Sequence, residues 1–499
     1  MNKFNTLISI AGLGLVVAAC GGEGGVLSKK RSNAPGSNLS GAEKGNRENP
    51  SEEATKAFAR AAAAYSKAAG GGALAKSDCG RVAGGFSKVY EKYGDQMIIA
   101  KFNAAAAFEE CGDGAKAKGI YEELAKAKYW PAYNNLGVIH WKKGNTSKAL
   151  DYFKKAVAAD RTKAFAARNN LAVAHRDQYS ESPKSKDFKE AEKQLRNVLV
   201  VDTSNKKAYE NLARLYFDKG RLEEKSYLVL SGLVVDQALR VLKDSGDQSA
   251  ELWNLRGLLF LERDNNQIEA LKMFLKAVEI ESRHTDANLN IAFISIRFRD
   301  YTQAEKSFAI ALTDPAQKRN VEAYLAMGVA KRGLKKFKDA KKYYNKAAKV
   351  DGKDPRPHFN LGILNQEHLI GQDNVGTKEI EAFYNTAKKH YNKYASVAGS
   401  SSSHADGVED AKDRVVVIDD AIRTFRVMED LERQAKAMEV KAKAEEAKER
   451  KRMLDLEAKA MAAMEEEETP TPASTKSPKG VPGKDDASRS KKKSGKKKK

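Results

Sequence analysis

Proline and cysteine are scarce in this sequence, with 11 prolines and three cysteines among 499 residues. A low proline content combined with abundant alanine, lysine and glutamate favours helix. Mean hydropathy is −0.61, which excludes a protein that crosses a membrane many times. The hydrophobic content of 41% is still enough for an extended helical core.

The sequence also lacks the motifs of common enzymes. It has no glycine-rich phosphate loop, no G-x-S-x-G elbow, no H-E-x-x-H and no C-x-x-C. The seven histidines are scattered, and His140, His175 and His358 fall at helix packing positions. Adjacent carboxylates such as Glu122 and Glu123 are more typical of solvated helix faces than of acid–base pairs. We therefore expect a protein that is not an enzyme and has no cofactor and no metal site.

Acidic residues are outnumbered, with 67 Asp and Glu against 89 Lys and Arg and a formal net charge of +22. A basic excess suits any polyanion or anionic surface, including nucleic acid and lipid head groups. The compartment of the protein therefore decides between these partners.

Residues 130–160 are the clearest structural unit, and they read as two short amphipathic helices joined at residues 143–145. In the first helix Leu136 and Gly137 lie on one side. In the second, Ala149, Phe153 and Ala156 do the same. The small residues allow the two helices to approach closely, and the large ones fill the gaps beside them. One such hairpin cannot bury its apolar side alone and needs stacked copies.

Copies of this unit recur along the chain, each with a Gly or Ala at the place of Gly137, here called the mark position. The marks are Ala105, Gly137, Ala172, Ala213, Gly257, Ala292, Gly328 and Gly362, separated by 32, 35, 41, 44, 35, 36 and 34 residues. In the last copy the second helix is expected to carry Ile380, Tyr384 and Ala387, with Tyr391 and Tyr394 in a separate closing helix. The residue classes and a period of about 34 resemble the tetratricopeptide repeat (TPR). The expected fold is an all-α TPR helical-hairpin solenoid of about seven to eight repeats plus capping helices, spanning residues 51–397.

The N-terminus resembles a bacterial lipoprotein signal. Lys3 is followed by an apolar run and by Val-Ala-Ala-Cys, which ends at Cys20. Residues 1–19 would then be a signal peptide, Cys20 the lipidated residue, and residues 20–50 a flexible tether. The alternative is an ordinary secretory signal with a cysteine there by chance. Gly21 after the cysteine favours the outer membrane by analogy with bacterial sorting, with the chain facing the periplasm and away from nucleic acid.

Cys79 and Cys111 are the two remaining cysteines. Cys79 opens the second helix of a degenerate N-terminal hairpin, and Cys111 closes the first helix of the next copy. Adjacent helices in such an array are antiparallel, so these two ends lie together. In an oxidising compartment we expect a Cys79–Cys111 disulfide; the alternative is two unpaired buried thiols.

The C-terminal part differs in composition from the repeats. Residues 398–407 read as a Ser-rich linker, and residues 408–464 as a long amphipathic helix or weak coiled coil. Its heptad-spaced residues are Val417, Ala421, Thr424, Met428, Leu431, Ala435, Met438 and Ala442. Residues 465–499 form a Lys-rich tail that is disordered by composition; residues 469–499 have ten Lys and one Arg against two Asp. Anionic lipid, lipopolysaccharide, peptidoglycan or an acidic protein could contact this tail, and it could equally be only a solvated segment.

The first helices of a TPR solenoid line its concave surface, where partners bind. Relative to each mark, we expect the residues three before, one after and four after to be exposed there. The predicted partner-binding groove consists of Asn134, Val138, Trp141, Asn169, Val173, Arg176, Arg214, Phe217, Leu289, Phe293, Ile296, Val329, Phe359 and Ile363. Its apolar character suits an amphipathic helix or an extended peptide. The alternative is that the chain's own C-terminal helix covers some of these residues.

The lipobox, the TPR array and the basic tail together resemble bacterial TPR lipoproteins, and the layout is most similar to that of the TPR lipoproteins of myxobacterial adventurous gliding motility. The resemblance implies a non-catalytic periplasmic scaffold that binds protein partners in an envelope-spanning machine. The alternative is an adaptor for a cell-wall hydrolase or for pilus and secretin assembly, with the tail contacting peptidoglycan or anionic lipid.

Overall fold

The computed structural model describes residues 50–70, 74–372 and 375–467. The predicted signal peptide, Cys20 and nearly all of the tether lie outside these ranges, as does the Lys-rich tail from residue 468 onward. Within the described ranges the chain is helical and contains no strand. No helix in this part of the chain is long and apolar enough to cross a membrane.

The described residues form nineteen α-helices, most of them separated by short turns. They are α1 Glu52–Ala69, α2 Cys79–Tyr93, α3 Ile98–Glu110, α4 Gly114–Lys126, α5 Trp130–Lys142, α6 Thr146–Ala159, α7 Phe165–Glu181, α8 Ser185–Val201, α9 Lys206–Leu222, α10 Ser226–Asp244, α11 Ala250–Glu262, α12 Gln267–Ile280, α13 Thr285–Arg297, α14 Tyr301–Ala311, α15 Val321–Gly333, α16 Phe337–Val350, α17 Arg356–Ile363, α18 Thr377–Ala398 and α19 Ala405–Glu467.

Consecutive helices pack as hairpins. The pairs are α3/α4, α5/α6, α7/α8, α9/α10, α11/α12, α13/α14, α15/α16 and α17/α18, and the second helix of each packs on the first helix of the next. The described residues thus contain eight hairpins, which confirms the predicted all-α helical-hairpin solenoid. Helices α1 and α2 precede the array.

Short polar side chains and left-handed residues set the helix boundaries. Ser249, Asn266 and Asn320 each accept a backbone N–H from the first turn of the helix that follows, which satisfies one otherwise unpaired donor. The turn after α5 contains Gly144 with φ 75°, a conformation that costs glycine little. The turn after α13 uses Arg299 with φ 60°, where a side chain is less readily accommodated.

The glycines at the mark position allow an aromatic ring of the second helix to lie against the backbone of the first. A Cβ added at Gly137 would be 2.4 Å from the Phe153 ring, and one at Gly328 would be 2.4 Å from the Tyr344 ring. These distances are far inside ordinary carbon–carbon contact. The close approach confirms that the small residue and the aromatic residue of each hairpin pack as a pair.

The last hairpin departs from the expected register. Gly362 faces Tyr391 rather than Tyr384, and the buried residues of α18 are Ala387, Tyr391, Tyr394 and Ala398. The predicted triplet was therefore wrong by two helical turns, and Tyr391 and Tyr394 belong to α18 itself rather than to a separate closing helix. The cause is the π-helical segment Leu364–Leu369 after α17 and the following loop, which delay the start of α18.

The N-terminal end of the array contains the disulfide pair. Cys79 is the first residue of α2, and Cys111 follows α3 directly. Their sulfur atoms are bonded, and the two Cα atoms lie 6.1 Å apart. The bond connects α2 to α3 beside an apolar cluster that includes Phe58, Phe86 and Met97. This covalent link reinforces the part of the array where the repeat pattern is weakest.

Two compact units divide the chain, Met1–Val416 and Val417–Lys499. Helix α19 begins at Ala405, three residues before the predicted boundary, and its first turns belong to the first unit. There Arg414 forms an ion pair with Glu367 at 2.7 Å, and Ala411 is buried. In the second unit, residues 426–464 are all exposed, and they include the four predicted heptad residues from Met428 to Met438.

Candidate protein-binding groove

The first helices of successive hairpins lie side by side along one face of the array. Helices α5 and α7, α7 and α9, α9 and α11, and α13 and α15 contact one another directly. Side chains that project from this shared face are thus held in a row, one set per repeat. We call this row the inner face.

Asparagine pairs connect neighbouring first helices across the inner face. Asn170 Nδ2 donates to Asn134 Oδ1 at 2.8 Å, and Asn290 Nδ2 donates to Asn254 Oδ1 at 3.0 Å. A longer contact of 3.3 Å joins Asn211 Nδ2 to Asn169 Oδ1. Because buried amides need partners, these bonds fix the lateral register of adjacent repeats.

This packing corrects the predicted groove at the position three before each mark. Asn134 and Asn169 are only 6% and 8% exposed, and Leu289 is buried as well. The two asparagines bond to the next first helix rather than facing open solvent. The sequence does contain a signal for this pairing, because Asn-Asn-Leu recurs at residues 134–136 and 169–171.

Two further predicted residues are buried. Val173 on α7 is only 7% exposed, and Phe217 joins a core cluster with Leu228 and Leu258. Side chains of the neighbouring helices cover Phe217, which is 1% exposed. These two positions of the predicted groove are therefore core positions.

The other predicted groove residues keep part of their surface exposed. They are Val138, Trp141, Arg176, Arg214, Phe293, Ile296, Val329, Phe359 and Ile363. Phe359 stacks edge-on against Tyr391 and Tyr394, and the Arg414 guanidinium lies 5.8 Å from its ring centre. At this end, the chain's own α19 contributes a covering side chain, as the alternative interpretation anticipated.

One concavity on the inner face has a cavity volume of about 60 Å³ and joins residues from α9, α11, α13 and α15. Its apolar lining is Phe217, Leu258, Leu261, Leu289, Phe293 and Ile294, and its polar lining is Arg214, Arg221, Glu262, Asp286, Asn290, Asn320 and Glu322. The predicted Arg214, Phe217, Leu289 and Phe293 are thus brought together in one place.

Leu258 and Leu261 were missing from the predicted groove, although they stand one and four residues after the mark Gly257. Applying the same offsets to the α11 copy would have found both. The carboxylates could not have been found in this way. Glu251, Asp286 and Glu322 each stand six residues before a mark, and within a single repeat they look like ordinary acidic residues of a first helical turn.

Arg214 is the electrostatic centre of the concavity. Its Nη2 lies 2.9 Å from Glu251 Oε1 and 3.5 Å from Asp286 Oδ2. Burial alone would raise the pKa of Glu251, but the Arg214 charge and a hydrogen bond from His284 outweigh it and lower this pKa to about 2. For Asp286, burial dominates, and its pKa is raised despite the attraction of Arg214. The Arg214 guanidinium therefore lies within ion-pair distance of two carboxylates and also interacts with Asp218, and it stabilises the charge of Asp286 less than that of Glu251.

His284 completes this cluster. Its Nδ1 accepts the backbone N–H of Ala287 at 3.2 Å and so caps α13, while its Nε2 lies 3.3 Å from Glu251 Oε2. An acceptor Nδ1 places the ring proton on Nε2, where it can be donated to Glu251. His284 is in this way a positioning group for the carboxylate.

The histidines noted in the sequence are packing residues. His140 stacks on Tyr152 with ring centres 5.3 Å apart, and His175 Nδ1 lies 2.9 Å from Asp187 Oδ1. His358 stacks on His390 at 5.8 Å. Across residues 50–70, 74–372 and 375–467, no cluster of three or more His, Cys, Asp or Glu side chains is arranged to hold a metal ion.

Comparison with known proteins gives two family matches. A family model described as tetratricopeptide repeat matches residues 130–163, and a second model of the same description matches residues 321–354. These segments correspond to the α5/α6 hairpin and the α15/α16 hairpin.

Solved structures with a similar architecture are distant in sequence. PilF of Pseudomonas aeruginosa is 18% identical, with a TM-score of 0.37 over 46% of this chain and 94% of its own. A tetratricopeptide repeat protein from Parabacteroides merdae is 19% identical, with a TM-score of 0.31 over 60% of this chain and 98% of its own. A monomeric mutant of IFIT1 is 16% identical, with a TM-score of 0.42 over 64% of this chain and 76% of its own. Similarities at this level support no inference about function.

Proposed function

Because the chain carries tetratricopeptide repeats, we propose that it is a non-catalytic scaffold that binds protein partners along the inner face of its solenoid. The observation that carries this proposal is two sets of partly exposed apolar side chains on first helices of the inner face. Val138 and Trp141 on α5 form the first set, and Phe293 and Ile296 on α13 with Val329 on α15 form the second. Spaced apolar side chains of this kind match those of an amphipathic helix or an extended segment.

We place this scaffold in a bacterial envelope, anchored through Cys20 in the outer membrane and facing the periplasm. The lipobox-like sequence before Cys20 supports the anchor. A disulfide between Cys79 and Cys111 is consistent with an oxidising compartment. Replacing Cys20 by alanine should release the protein from the membrane fraction, and retention of the variant on membranes would contradict the anchor.

The partners would be components of an envelope-spanning machine, and the overall layout favours gliding motility. The second candidate is an adaptor for a cell-wall hydrolase or for pilus and secretin assembly. The Lys-rich composition of residues 469–499 favours contact with peptidoglycan carboxylates or anionic lipid in that case. Nucleic acid is not a partner in either proposal.

A crosslinked pull-down of the lipidated chain from membranes, read by mass spectrometry, tests these proposals. The test variant is Trp141→Ala/Phe293→Ala, and the matched control is Leu233→Ala/Leu275→Ala, which removes exposed apolar residues of α10 and α12. Loss of partners in the test variant alone supports the inner face as the binding surface. Unchanged partners would contradict it. Motility components favour the first candidate, and wall hydrolases or pilus components the second.

A further inference from the structure

The concavity between α9 and α15 combines an apolar floor with an incompletely compensated carboxylate. We propose that it binds a cationic amphipathic segment of a partner protein, in which a large apolar side chain and a Lys or Arg lie about one helical turn apart. This inference rests on the proposed function, since it names the chemistry of what the inner face binds.

The apolar part of the partner follows from the lining of the concavity. Leu258 comes from α11, Leu289 and Phe293 come from α13, and the three side chains meet at one place on the inner face. Leu258 and Leu289 are buried, while Phe293 is partly exposed and stacks edge-on against Phe308 at 5.2 Å. A leucine- or phenylalanine-sized side chain would cover this exposed apolar surface.

The charge of the partner follows from the ion pairs around that floor. Arg221 pairs with Glu262 at 3.4 Å, and Arg356 pairs with Glu322. The third cation, Arg214, lies between Glu251 and Asp286. Arg356 also pairs with Asp354, and Arg214 also interacts with Asp218. The carboxylates in these pairs therefore outnumber the guanidiniums, which leaves a local excess of negative charge.

The excess negative charge is accessible to a partner at Asp286. Its side chain is 37% exposed and lines the concavity, and its contact with Arg214 is the longer of that residue's two. A cation from a partner could pair with Asp286 without displacing the shorter Arg214–Glu251 bond. The chain as a whole carries a net charge of +22, so long-range attraction does not favour a cationic partner. Selectivity for a cation would therefore come from this local, partly desolvated pair.

The charge also argues against an acidic partner. A carboxylate placed beside Asp286 would meet like charge in a partly desolvated site, which is costly. A neutral apolar segment would fill the floor but leave Asp286 still sharing its cation. Among the three charge classes, the cationic segment alone satisfies both features.

The test uses the full chain and three synthetic pools of fluorescent 16-residue amphipathic peptides, a length of about four helical turns. All pools carry Leu or Phe along one face, and the flanking positions hold Lys and Arg, Gln, or Glu. Binding is measured by fluorescence anisotropy. We expect the cationic pool to bind about tenfold more tightly than the Gln pool, the Glu pool to bind least, and added salt to reduce the difference.

Variants connect this binding to the concavity. Asp286→Asn should weaken binding of the cationic pool about tenfold and leave the Gln pool unchanged. Asp286→Lys should reverse the preference towards the Glu pool, which keeps the proposal testable if Asn at this position perturbs folding. The matched control is Glu269→Gln, on second helix α12, where the carboxylate pairs with Lys272 at 2.6 Å; it should change nothing.

Each other outcome is decisive. Binding of the three pools without charge preference, but abolished by Phe293→Ala, would overturn the cationic partner and leave the proposed function intact. Binding of no pool, together with unchanged partners in the Trp141/Phe293 pull-down, would overturn the proposed function itself. A fourth arm replaces the basic residues of 469–499 by Gln. If the cationic pool binds only to this variant, the chain's own Lys-rich segment occupies the concavity in the parent protein, and an external partner is excluded.

Discussion

Replacing Gly257 by alanine should destabilise the solenoid, although alanine is the better helix former. An alanine Cβ at this position would stand 2.5, 2.7 and 2.8 Å from three ring atoms of Phe274. The ring is fully buried in the cluster formed by α9 to α13, so it cannot swing into solvent. Forcing this overlap should cost about 3 kcal/mol, the upper end for overpacking.

Helix propensity opposes that cost, because glycine in a helix interior is less favourable than alanine by about 1 kcal/mol. The net destabilisation should therefore be about 2 kcal/mol. The matched control is Gly119→Ala on α4, an exposed helix-interior glycine with nothing within 4 Å of an added Cβ. It gains the propensity without the clash and should stabilise by about 1 kcal/mol.

Urea unfolding followed by circular dichroism measures both changes. Because a repeat array need not unfold in one step, hydrogen exchange in α11 and α12 gives the local readout. Phe274→Leu should restore part of the loss in the Gly257→Ala background, since Ala172 and Leu195 coexist in one core cluster. If Gly257→Ala and Gly119→Ala stabilise equally, the close approach is not what requires glycine.

Three further predictions follow from the packing. Cys111→Ser should lower the stability of the N-terminal hairpins by roughly 3–4 kcal/mol, by the chain-entropy argument. Earlier proteolysis of α1 to α3 measures this loss, and a chain whose mass does not change on reduction would show that the bond is absent. His390→Phe should remove an acid-sensitive loss of stability. Burial first, and then the charges of His358 and Lys341, lower the pKa of His390 to about 4. The unfolded chain therefore takes up this proton first, and the free energy of unfolding falls as the pH drops from an unfolded pKa of about 6.5 to this value, by at most about 3 kcal/mol. Urea midpoints at two pH values, above and inside the window, should differ less in the variant than in the parent, and an equal difference would contradict this. Asn290→Ala should leave the buried Oδ1 of Asn254 without its donor and cost about 1–2 kcal/mol, read as faster exchange in α11 and α13 while α5 stays unchanged.

The repeat hairpins could be read from the sequence because each one is specified locally. A small residue in the first helix and an aromatic in the second must coincide for the helices to close, and that requirement recurs every repeat. The pairing of Cys79 with Cys111 followed from the same regularity, since both cysteines lie at helix ends that antiparallel packing brings together.

The last hairpin shows where this reasoning fails. Ile380, Tyr384 and Ala387 have the right residue types and spacing, and so do Ala387, Tyr391 and Tyr394. Both sets lie on one amphipathic helix, so local pattern does not choose between them. The π-helical segment after α17 and the length of the following loop decide which set reaches Gly362.

The sequence by itself determined the period, the helix pairing and the mark positions, because these depend on contacts within one hairpin. Only the tertiary structure decided which inner-face residues are exposed. Asn134 and Asn169 became cross-repeat hydrogen-bond partners, and Phe217 became core. The concavity around Arg214 likewise exists only where four repeats meet. Its carboxylates come from separate helices, and only the assembled array places Arg214 between Glu251 and Asp286.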